Sequence, residues 1–436
     1  MTALYEYQSK GIEQLYSILT TSAERAAMLC DPPGAGKTPQ AIGLYDALGV
    51  HSVLIICPAS LKENWRREVE RWTKRPLKSE DIQVLNSSSD VISPSAKVFI
   101  VSFNLAVRMQ EKLCGKPGGY DLLIIDEAHY CKAASSQMSR IILVLIWAKC
   151  HFRLMMTGTP LPNGRAAEAW TTFSRCSAED FGSWEAFKNR YCIEERTRWG
   201  VTYPASKNLN ELREKSKKFI VRRTKEEVLG QLPGLVRQNI HIRLPDMDIL
   251  NAEGGIDVDG ILNAIEAGLP IEGDHITTVR RKLGMLKAPH ILQAALDILE
   301  EVESVVIFVH HRDVMAHLTQ AFSERNISHV SISGLTLSED RVKSVDIFQK
   351  GEAKVFLASL KAANTGLTLT RASTLLMGEY DWVPSTNEQA EGRIYRVSQK
   401  EICRVQYIVA SDSLDEKVLK IVQRKQREIT KALGAV

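Results

Sequence analysis

Residues 26–38 read AAMLCDPPGAGKT: a short apolar run, a loop with two glycines, and then Gly-Lys-Thr. A strand that leads through such a loop into a helix is the arrangement of phosphate-binding P-loops. Two glycines let the backbone curl so that its N–H groups point at phosphate oxygens. The lysine would reach the β- and γ-phosphates, and the threonine would hold Mg²⁺. The sequence therefore predicts ATP binding by Pro33, Gly34, Ala35, Gly36, Lys37 and Thr38.

One position departs from the strict P-loop pattern. Asp31 stands where that pattern has glycine. A chance turn is the alternative interpretation of this stretch. The apolar run before the loop and the helical segment after it favour the P-loop, because the chemistry needs all three parts in that order.

A pair of carboxylates follows another apolar run. Leu122 to Ile125 lead directly into Asp126-Glu127-Ala128-His129. In α/β sheets, ligands bind at the carboxyl ends of strands. We expect Asp126 to hold Mg²⁺, directly or through water, and Glu127 to orient and polarise the attacking water. A solvated acidic pair is the alternative, and the upstream P-loop argues against it, since the two motifs complete one magnesium site.

Short apolar runs alternate with amphipathic segments along most of the chain. Such alternation predicts an α/β fold with parallel sheets, whose strands are apolar because both faces are buried. The predicted strands are Ala26–Cys30, Val53–Cys57, Val98–Val101, Leu122–Ile125, Arg153–Thr157, Val305–Val309, His329–Ile332, Val355–Ala358, Thr374–Met377 and Val405–Val409. Leu61, Trp65, Val69 and Trp72 form one stripe at helical spacing, with Ser60 and Glu63 as an expected capping box.

Two such α/β units flank a different kind of segment. Residues 244–279 contain eight acidic residues and neither lysine nor arginine. We therefore expect a first lobe over 1–240, an acidic linker or insertion over 241–285, and a second lobe over 286–436. A solvated acidic surface is favoured over a specific partner site for this linker.

Composition and charge limit the class of protein. The chain has 436 residues, with Lys+Arg 56 and Asp+Glu 52, so its formal net charge is +4. The hydrophobic share of 44% and the charged share of 25% exclude a disordered or collagen-like chain, and the mildly basic charge is compatible with a nucleic-acid partner. The longest apolar run, residues 141–148, is far shorter than the ~20 residues of a membrane span. The first residues lack a signal-peptide pattern, and the spacing of the eight cysteines fits neither a zinc site nor a disulfide framework. We expect a soluble, intracellular protein.

Further motifs in the first half resemble those of superfamily-two helicases, and among these the Swi/Snf-like ATPases. Residues 4–8, LYEYQ, resemble the adenine-reading glutamine motif, and aspartate at position 31 is usual in this family. Residues 54–61 with Asn64 and Trp65 resemble the next motif, and 154–163, LMMTGTPLPN, resemble the lobe-coupling motif. Residues 221–225 and Leu232-Pro233 resemble the segment that follows lobe one.

The resemblance continues through the second half in the expected order. Residues 331–349 carry the expected Gly334 and Arg341, and 359–369 resemble the motif that senses nucleotide and DNA together. Residues 389–399, QAEGRIYRVSQ, match the Arg-x-x-Arg spacing of the arginine-finger motif. Residues 362–364 and 397–399 depart from the usual family residues, but neither departure removes a charged group. Residues 282–284 and 381–384 resemble the annealing-helicase branch of the family most closely.

This resemblance implies a fold, a cofactor set and site residues. The fold would be two RecA-like lobes with ATP and Mg²⁺ in the cleft between them. Lobe one would add Gln8 to the P-loop site, and lobe two would supply Gly366, Arg393 and Arg396. A surface ion pair with Glu391 or Asp381 is the alternative for these arginines. The residues expected to contact the DNA backbone are Ser60, Thr159 and Thr368.

The implied function is an ATP-dependent DNA translocase or helicase. It would remodel duplex, forked or branched DNA by branch migration, fork regression, or strand annealing or unwinding, with little sequence specificity. The resemblance to short bacterial and phage members implies the cytoplasm of a bacterium or a phage-infected host. The sequence identifies no protein partner and no membrane partner.

Other functions remain as alternatives. Asp126-Glu127-Ala128-His129 also suits an RNA helicase, but residues 391–396, EGRIYR, replace the Gly-Arg-Ala-Gly-Arg ending of that class. A remodeller of protein–DNA complexes is a further alternative. A nucleic-acid scaffold with a silent nucleotide site is disfavoured by the complete set of charged residues. Clusters around Arg66, Lys215 and Arg280 could attract a nucleic-acid backbone, although solvated helix faces are favoured. Packing is favoured over base stacking for Trp65, Trp72 and Trp382.

Overall fold

The computed structural model describes residues 4–197, 200–224, 227–228, 234–244, 275–363, 366–396 and 399–433. These residues form two compact units, one within 1–193, 205–228 and 428–436 and the other within 194–204 and 229–427. Most of the acidic stretch expected as a linker, residues 245–274, lies outside the described residues. The same holds for Lys225, Leu232, Pro233, Asn364, Thr365, Val397 and Ser398.

The first unit is built on a seven-stranded parallel sheet. The strands of the first half of the chain are β1 (Ala26–Leu29), β2 (Val53–Cys57), β3 (Ile82–Val84), β4 (Val98–Ser102), β5 (Tyr120–Asp126), β6 (Cys150–Met156), β7 (Cys192–Thr197), β8 (Gly200–Ser206) and β9 (Ile220–Val221). The strand order of the large sheet is β3-β4-β2-β5-β6-β1-β9, and β7 and β8 pair separately. Every residue of β1, β2 and β4 is buried, as the apolar runs predict.

Helices connect these strands. They are α1 (Glu6–Thr21), α2 (Lys37–Leu48), α3 (Lys62–Trp72), α4 (Phe103–Arg108), α5 (Gln110–Cys114), α6 (Gln137–Arg140), α7 (Trp170–Cys176), α8 (Ala178–Phe181), α9 (Trp184–Tyr191) and α10 (Leu209–Ser216). Leu61, Trp65 and Val69 enter the core formed by the sheet, so the predicted helical stripe is confirmed. The apolar run after α6 forms a π-helical turn over Ile141–Ile146.

The second unit is built on a six-stranded parallel sheet. Its strands are β10 (Leu235–Ile242), β11 (Val305–Val309), β12 (His329–Ile332), β13 (Val355–Ser359), β14 (Thr374–Met377) and β15 (Cys403–Ala410), in the order β10-β15-β14-β11-β13-β12. The helices of the second half of the chain are α11 (His275–Glu301), α12 (Arg312–Glu324), α13 (Ser338–Lys350), α14 (Leu360–Ala363), α15 (Pro384–Glu391) and α16 (Leu414–Leu433). The predicted α/β class with two parallel-sheet units is therefore confirmed.

Two of the expected boundaries fall within elements of the second unit. The lobe-one limit at residue 240 falls inside β10, which pairs along its whole length with β15 of the second sheet. This strand carries polar side chains such as Arg237, Gln238 and Asn239 because it lies at the sheet edge, so it lacks the apolar signal of a buried strand. The expected linker over 241–285 also overlaps α11, which already begins at His275.

The capping box expected at Ser60 and Glu63 is absent. Ala59–Leu61 form a 3₁₀ turn, and α3 begins only at Lys62, with Leu61 at its N-cap and without a side-chain cap. The turn places Ser60 before the helix rather than at its cap position. All the cysteines except Cys114 are buried, as expected of small apolar residues. Among the described residues, no helix has both the length and the apolar character needed to cross a bilayer.

Candidate active site

The register of the first sheet brings three motifs to one edge. Asp126 of β5 and Leu29 of β1 both pair with Met156 of β6, which lies between them. The P-loop follows β1, the acidic box ends β5, and Thr157 follows β6. Because parallel strands end at the same edge of their sheet, these motifs lie together where α/β proteins bind ligands.

The P-loop has the backbone conformation that its glycines allow. Gly34 and Gly36 have φ of 85° and 70°, in the left-handed region. A Cβ at Gly36 would collide with Nε2 of Gln8, so the buried Gln8 side chain would have to move to admit any other residue. Lys37 lies across the loop, and its Nζ donates to the carbonyls of Asp31 at 2.9 Å and Pro32 at 3.3 Å.

The first helix is fixed to this loop through its amino-terminal turn. Gln8 is buried, its Nε2 donates to the carbonyl of Ala35 at 3.3 Å, and its Oε1 accepts from the Tyr5 amide at 3.0 Å. The hydroxyl of Tyr7 donates to the same carbonyl of Ala35 at 2.9 Å. The structure therefore brings Gln8 to the P-loop, and its contact with adenine stays a prediction.

Asp31, the residue that departs from the strict P-loop pattern, anchors a buried network. Its carboxylate accepts from Gln40 Nε2 at 2.9 Å and from Arg223 Nη2 at 2.6 Å. Arg223 also donates to the carbonyl of Tyr7 and to Oε1 of Gln40. Asp31 therefore connects α1, the P-loop, α2 and the segment after β9, which a glycine could not do.

Asp126 is buried at the end of β5. Its Oδ2 accepts a hydrogen bond from Nε1 of Trp65 at 2.9 Å. Burial and the charge of Glu127 raise the pKa of Asp126 to about 6, against the opposing effects of the Trp65 hydrogen bond and the charge of Lys37. The electrostatic interaction with Lys37 is consistent with the P-loop and the acidic box lying side by side.

The acidic box is also connected to the segment after β6. Glu127 adopts φ of 56°, and its Oε2 lies 3.2 Å from Nδ1 of His129. His129 Nδ1 is 3.1 Å from Oγ1 of Thr157, which accepts from the Thr159 amide at 3.0 Å. This chain of contacts joins the carboxylate of Glu127 to the motif expected to couple the lobes.

The donor groups of this site suit magnesium. Asp126 offers a carboxylate and Thr38 a hydroxyl, which are the hard oxygen ligands that Mg²⁺ prefers. Among the described residues, no group of three or more His, Cys, Asp or Glu side chains could by itself bind a metal ion. Mg²⁺ commonly binds through one or two protein oxygens together with substrate phosphates, so the residues present fit a metal that arrives with ATP.

The second unit brings its predicted site residues together. Arg393 is buried, and its Nε and Nη1 donate to the carbonyls of Gln389 at 3.0 Å and Leu367 at 3.4 Å. Arg396 donates from Nη1 to Oγ1 of Thr368 at 2.9 Å. Gly366 begins this segment with φ of 74°. The two arginines therefore bind the neighbouring residues Leu367 and Thr368.

The carboxylate of Glu391, the alternative partner for these arginines, has other contacts. Arg237 of β10 binds it through Nε at 2.8 Å and Nη2 at 2.6 Å. The hydroxyl of Tyr407 adds a third hydrogen bond at 2.9 Å. This cluster fastens the edge strand β10 to α15.

The hydroxyls expected to contact DNA differ in exposure. Ser60 and Thr368 are partly exposed. Thr159 is only 4% exposed, and no hydrogen-bond partner for its hydroxyl occurs in the described part of the chain. Thr159, in the segment that follows β6, is therefore not on the surface of the described structure. The Ser60 and Thr368 contacts stay predictions.

Several expected surface features are paired or packed. Arg66 binds Glu63 and Glu70, and Lys218 binds Asp180, so the basic clusters face carboxylates on their own surfaces. Trp382 packs against the guanidinium of Arg280, whose Cζ lies 4.7 Å from the centre of the indole ring. The sequence does not indicate the contacts that Trp65, Arg223 and Thr157 make in the structure. The helical stripe indicated that Trp65 is buried, but no sequence signal indicated its bond to Asp126.

Comparison with known proteins identifies the family. The model of the SNF2-related domain matches residues 7–250, and that of the helicase conserved C-terminal domain matches residues 288–398. The "DNA annealing helicase and endonuclease ZRANB3" of Bos taurus is 30% identical over 417 residues, covering 91% of this chain and 38% of that protein.

Two further relatives come from a fly and a bacterium. The "SWI/SNF-related matrix-associated actin-dependent regulator of chromatin subfamily A-like protein 1" of Drosophila melanogaster is 30% identical over 411 residues, covering 93% of this chain and 53% of that protein. An "Uncharacterized ATP-dependent helicase" of Mycoplasma pneumoniae is 28% identical over 455 residues, covering 99% of this chain and 42% of that protein. The chain thus spans about half the length of these relatives or less. Since the domain model matches more than half of it, this chain belongs to the SNF2-related family.

Proposed function

We propose that this chain is an ATP-dependent DNA translocase or helicase that remodels forked or branched DNA. The observation that carries the proposal is the convergence of Lys37, Asp126 and Thr157 at one edge of the first sheet. An annealing helicase among the relatives supports forked or branched DNA as the substrate. The proposed action covers branch migration, fork regression, and annealing or unwinding of strands.

In the proposed reaction, the first unit binds ATP and activates water. The backbone amides of residues 33–38 would surround the β- and γ-phosphates, and Lys37 would leave its carbonyl partners to neutralise their charge. Glu127 would orient the attacking water and accept its proton. Mg²⁺, held by Asp126 and Thr38, would neutralise charge on the phosphate oxygens.

Arg393 and Arg396 would complete the reaction as arginine fingers when the two lobes close on ATP. Phosphoryl transfer depends mainly on positioning and charge stabilisation, so such a finger contributes about 10³–10⁵ in rate. The hydrogen bonds of the two arginines to Leu367 and Thr368 support this role, because the same segment is expected to respond to nucleotide and DNA. Hydrolysis would then depend on lobe closure.

DNA would favour closure by contacting both lobes. Ser60 in the first unit and Thr368 in the second are the partly exposed hydroxyls that we assign to the phosphate backbone. If DNA favours the closed state, then ATP must change DNA affinity by the same factor, since coupling between two ligands is reciprocal.

The relatives favour DNA over RNA. Two of the relatives carry names that refer to DNA or chromatin. The RNA-helicase alternative was based only on the four residues from Asp126 to His129. A remodeller of protein–DNA complexes stays a second candidate, supported by the chromatin regulator among the relatives. The mycoplasma relative supports action in a bacterial cytoplasm.

A strand-exchange assay tests the proposal. A fluorescently labelled four-way junction and a fork are incubated with the protein and ATP, and products are resolved by native electrophoresis. ATP-dependent conversion to duplex products, lost in Lys37→Ala, is the expected result. Conversion only of a protein-blocked duplex would favour the remodeller, and no conversion of either junction or fork would contradict the proposal.

A further inference from the structure

Trp65 does more in this structure than fill the core. Its Nε1–H donates to Asp126 Oδ2 at 2.9 Å, and the two residues are only 1% and 8% exposed. A hydrogen bond to an ionised carboxylate is shorter and stronger than a neutral one. If one partner of such a buried bond is removed, the other stays buried without a hydrogen bond, which is unfavourable because water cannot replace the lost partner. Trp65 therefore restricts the orientation of this carboxylate.

The indole itself is held firmly. Trp65 lies in the same core cluster as Leu61 and Val69 of its own helical segment and as Ile55 and Ile124 of the sheet. Side chains that are packed on all sides keep one rotamer, and this precision is what a functional group needs from its supporting residues. The direction of the Nε1–H bond is thereby fixed relative to β5.

The helix that carries Trp65 continues into a second candidate site. Ala59–Leu61 form a 3₁₀ turn that leads without a break into α3. Ser60, which we assign to the DNA backbone, is partly exposed, whereas Trp65 is buried five residues later. At about 1.5 Å per helical residue, the two positions are roughly 8 Å apart along one rigid segment. A contact that holds the turn in place would therefore also hold the indole in the position from which it donates to Asp126.

We propose that Trp65 is a positioning residue that orients Asp126 toward the Mg²⁺ of bound ATP and transmits DNA contact at Ala59–Leu61 to that carboxylate. This inference rests on the proposed function and deepens it, because it names a physical route from DNA to the ATP site. Groups that orient a metal ligand in this way typically contribute 10–100-fold to metal affinity or activity.

The chain provides a matched control in the same helix. Trp72 also donates its Nε1–H to a carboxylate, that of Glu68 at 2.8 Å, but four residues away on α3 rather than at the acidic box. Trp65→Phe and Trp72→Phe therefore make the same chemical change, each removing one indole N–H. Only the first change reaches Asp126.

Binding and hydrolysis are measured for both variants. Calorimetric titration with ATPγS at a series of Mg²⁺ concentrations should show that Trp65→Phe needs at least about 10-fold more Mg²⁺ for half-maximal binding. Trp72→Phe should match the wild type. The factor by which duplex DNA stimulates hydrolysis should also fall in Trp65→Phe alone. Equal Mg²⁺ dependence and equal stimulation in the two variants would overturn the proposal.

A measurement that does not need a folded Trp65 variant completes the test. The chain has seven tryptophans, whose indole N–H signals are observed after ¹⁵N-tryptophan labelling. Asp126→Ala should shift one indole signal that Glu68→Ala leaves in place, and Mg·ATPγS should shift the same signal in the wild type. If Asp126→Ala moves none, the proposal is wrong. A wild type that lacks DNA-stimulated hydrolysis but shows these shifts would contradict the proposed function and the DNA link while retaining the link to Mg²⁺.

Discussion

The guanidinium of Arg223 binds the carboxylate of Asp31, with Nη2 2.6 Å from Oδ2, and the two side chains are 12% and 0% exposed. The residues are 192 positions apart in the chain. Asp31 begins the P-loop, and Arg223 follows the edge strand β9. The ion pair therefore fastens the segment after β9 to the P-loop.

Breaking this pair should destabilise the first unit strongly. Arg223→Met leaves the buried Asp31 carboxylate without its counter-charge, and breaking a buried pair in this way costs about 3–5 kcal/mol. The exposed pair of Arg190 and Glu211 is the control, since surface pairs contribute about 0–1 kcal/mol. Urea unfolding measures both. A similar loss in Arg223→Met and Arg190→Met would contradict this role of Asp31.

Substitution of Gly36 should abolish nucleotide binding. Alanine there meets two obstacles, a left-handed backbone with φ of 70° and the amide of Gln8 against the new Cβ. Gly49→Ala is the matched control, because its φ is 67° but nothing lies within 4 Å of its Cβ. The control should lose only about 1–2 kcal/mol of stability and bind a fluorescent ATP analogue normally. If both variants bind equally, then Gln8 does not restrict the loop as the structure indicates.

Loss of a proposed arginine finger should affect hydrolysis and leave binding intact. Arg396→Ala should lower the DNA-stimulated rate by at least about 10³-fold, with ATP affinity within a few-fold of the wild type. Arg404 on β15 is an exposed arginine that lies near Glu301, and Arg404→Ala serves as the control. Single-turnover hydrolysis and equilibrium binding separate the two effects. Equal loss of binding and rate would indicate a structural role for Arg396.

The second unit should lose stability in mild acid through His310. Burial, with the nearby charges of Arg280 and His311, lowers the pKa of His310 to about 4, although Glu379 and Asp381 oppose this. The imidazole of His310 takes up a proton near pH 6.5 in the unfolded chain but only near pH 4 in the folded chain. Protonation of His310 therefore leaves the free energy of unfolding unchanged above pH 6.5 and lowers it as the pH falls toward 4. The full decrease is about 3 kcal/mol.

Unfolding by urea at pH 7.5 and pH 5 measures this dependence. His310→Gln should reduce the difference between the two pH values, because glutamine does not titrate. His317→Gln replaces an exposed histidine on α12 and should leave the difference unchanged. An unaltered difference in His310→Gln would show that other groups cause the acid sensitivity.

The sequence predicted those parts of the fold that depend on burial. Each apolar run assigned to a strand, such as Val53–Cys57 and Val305–Val309, forms one, because strands covered on both faces must be apolar. The edge strand β10 was missed because its exposed side chains are polar. The capping box at Ser60 failed because the chain forms a 3₁₀ turn before α3.

The candidate site was predictable where one motif contains the chemistry. Lys37, Asp126 and Glu127 lie in contiguous motifs, and the parallel register brings them together. The supporting contacts were not predictable, since Trp65 meets Asp126 from 61 residues away and Arg223 meets Asp31 from 192. Such contacts depend on the packing of distant segments, which local patterns do not contain.

The rate of ATP hydrolysis with different nucleic acids tests the proposed function most directly. It is measured without nucleic acid and with single-stranded DNA, duplex DNA, a four-way junction or RNA, using Glu127→Gln as the inactive control. We expect strong stimulation by duplex or junction DNA that disappears in Glu127→Gln. Stimulation by RNA alone, or no hydrolysis under any of these conditions, would contradict a DNA-dependent motor.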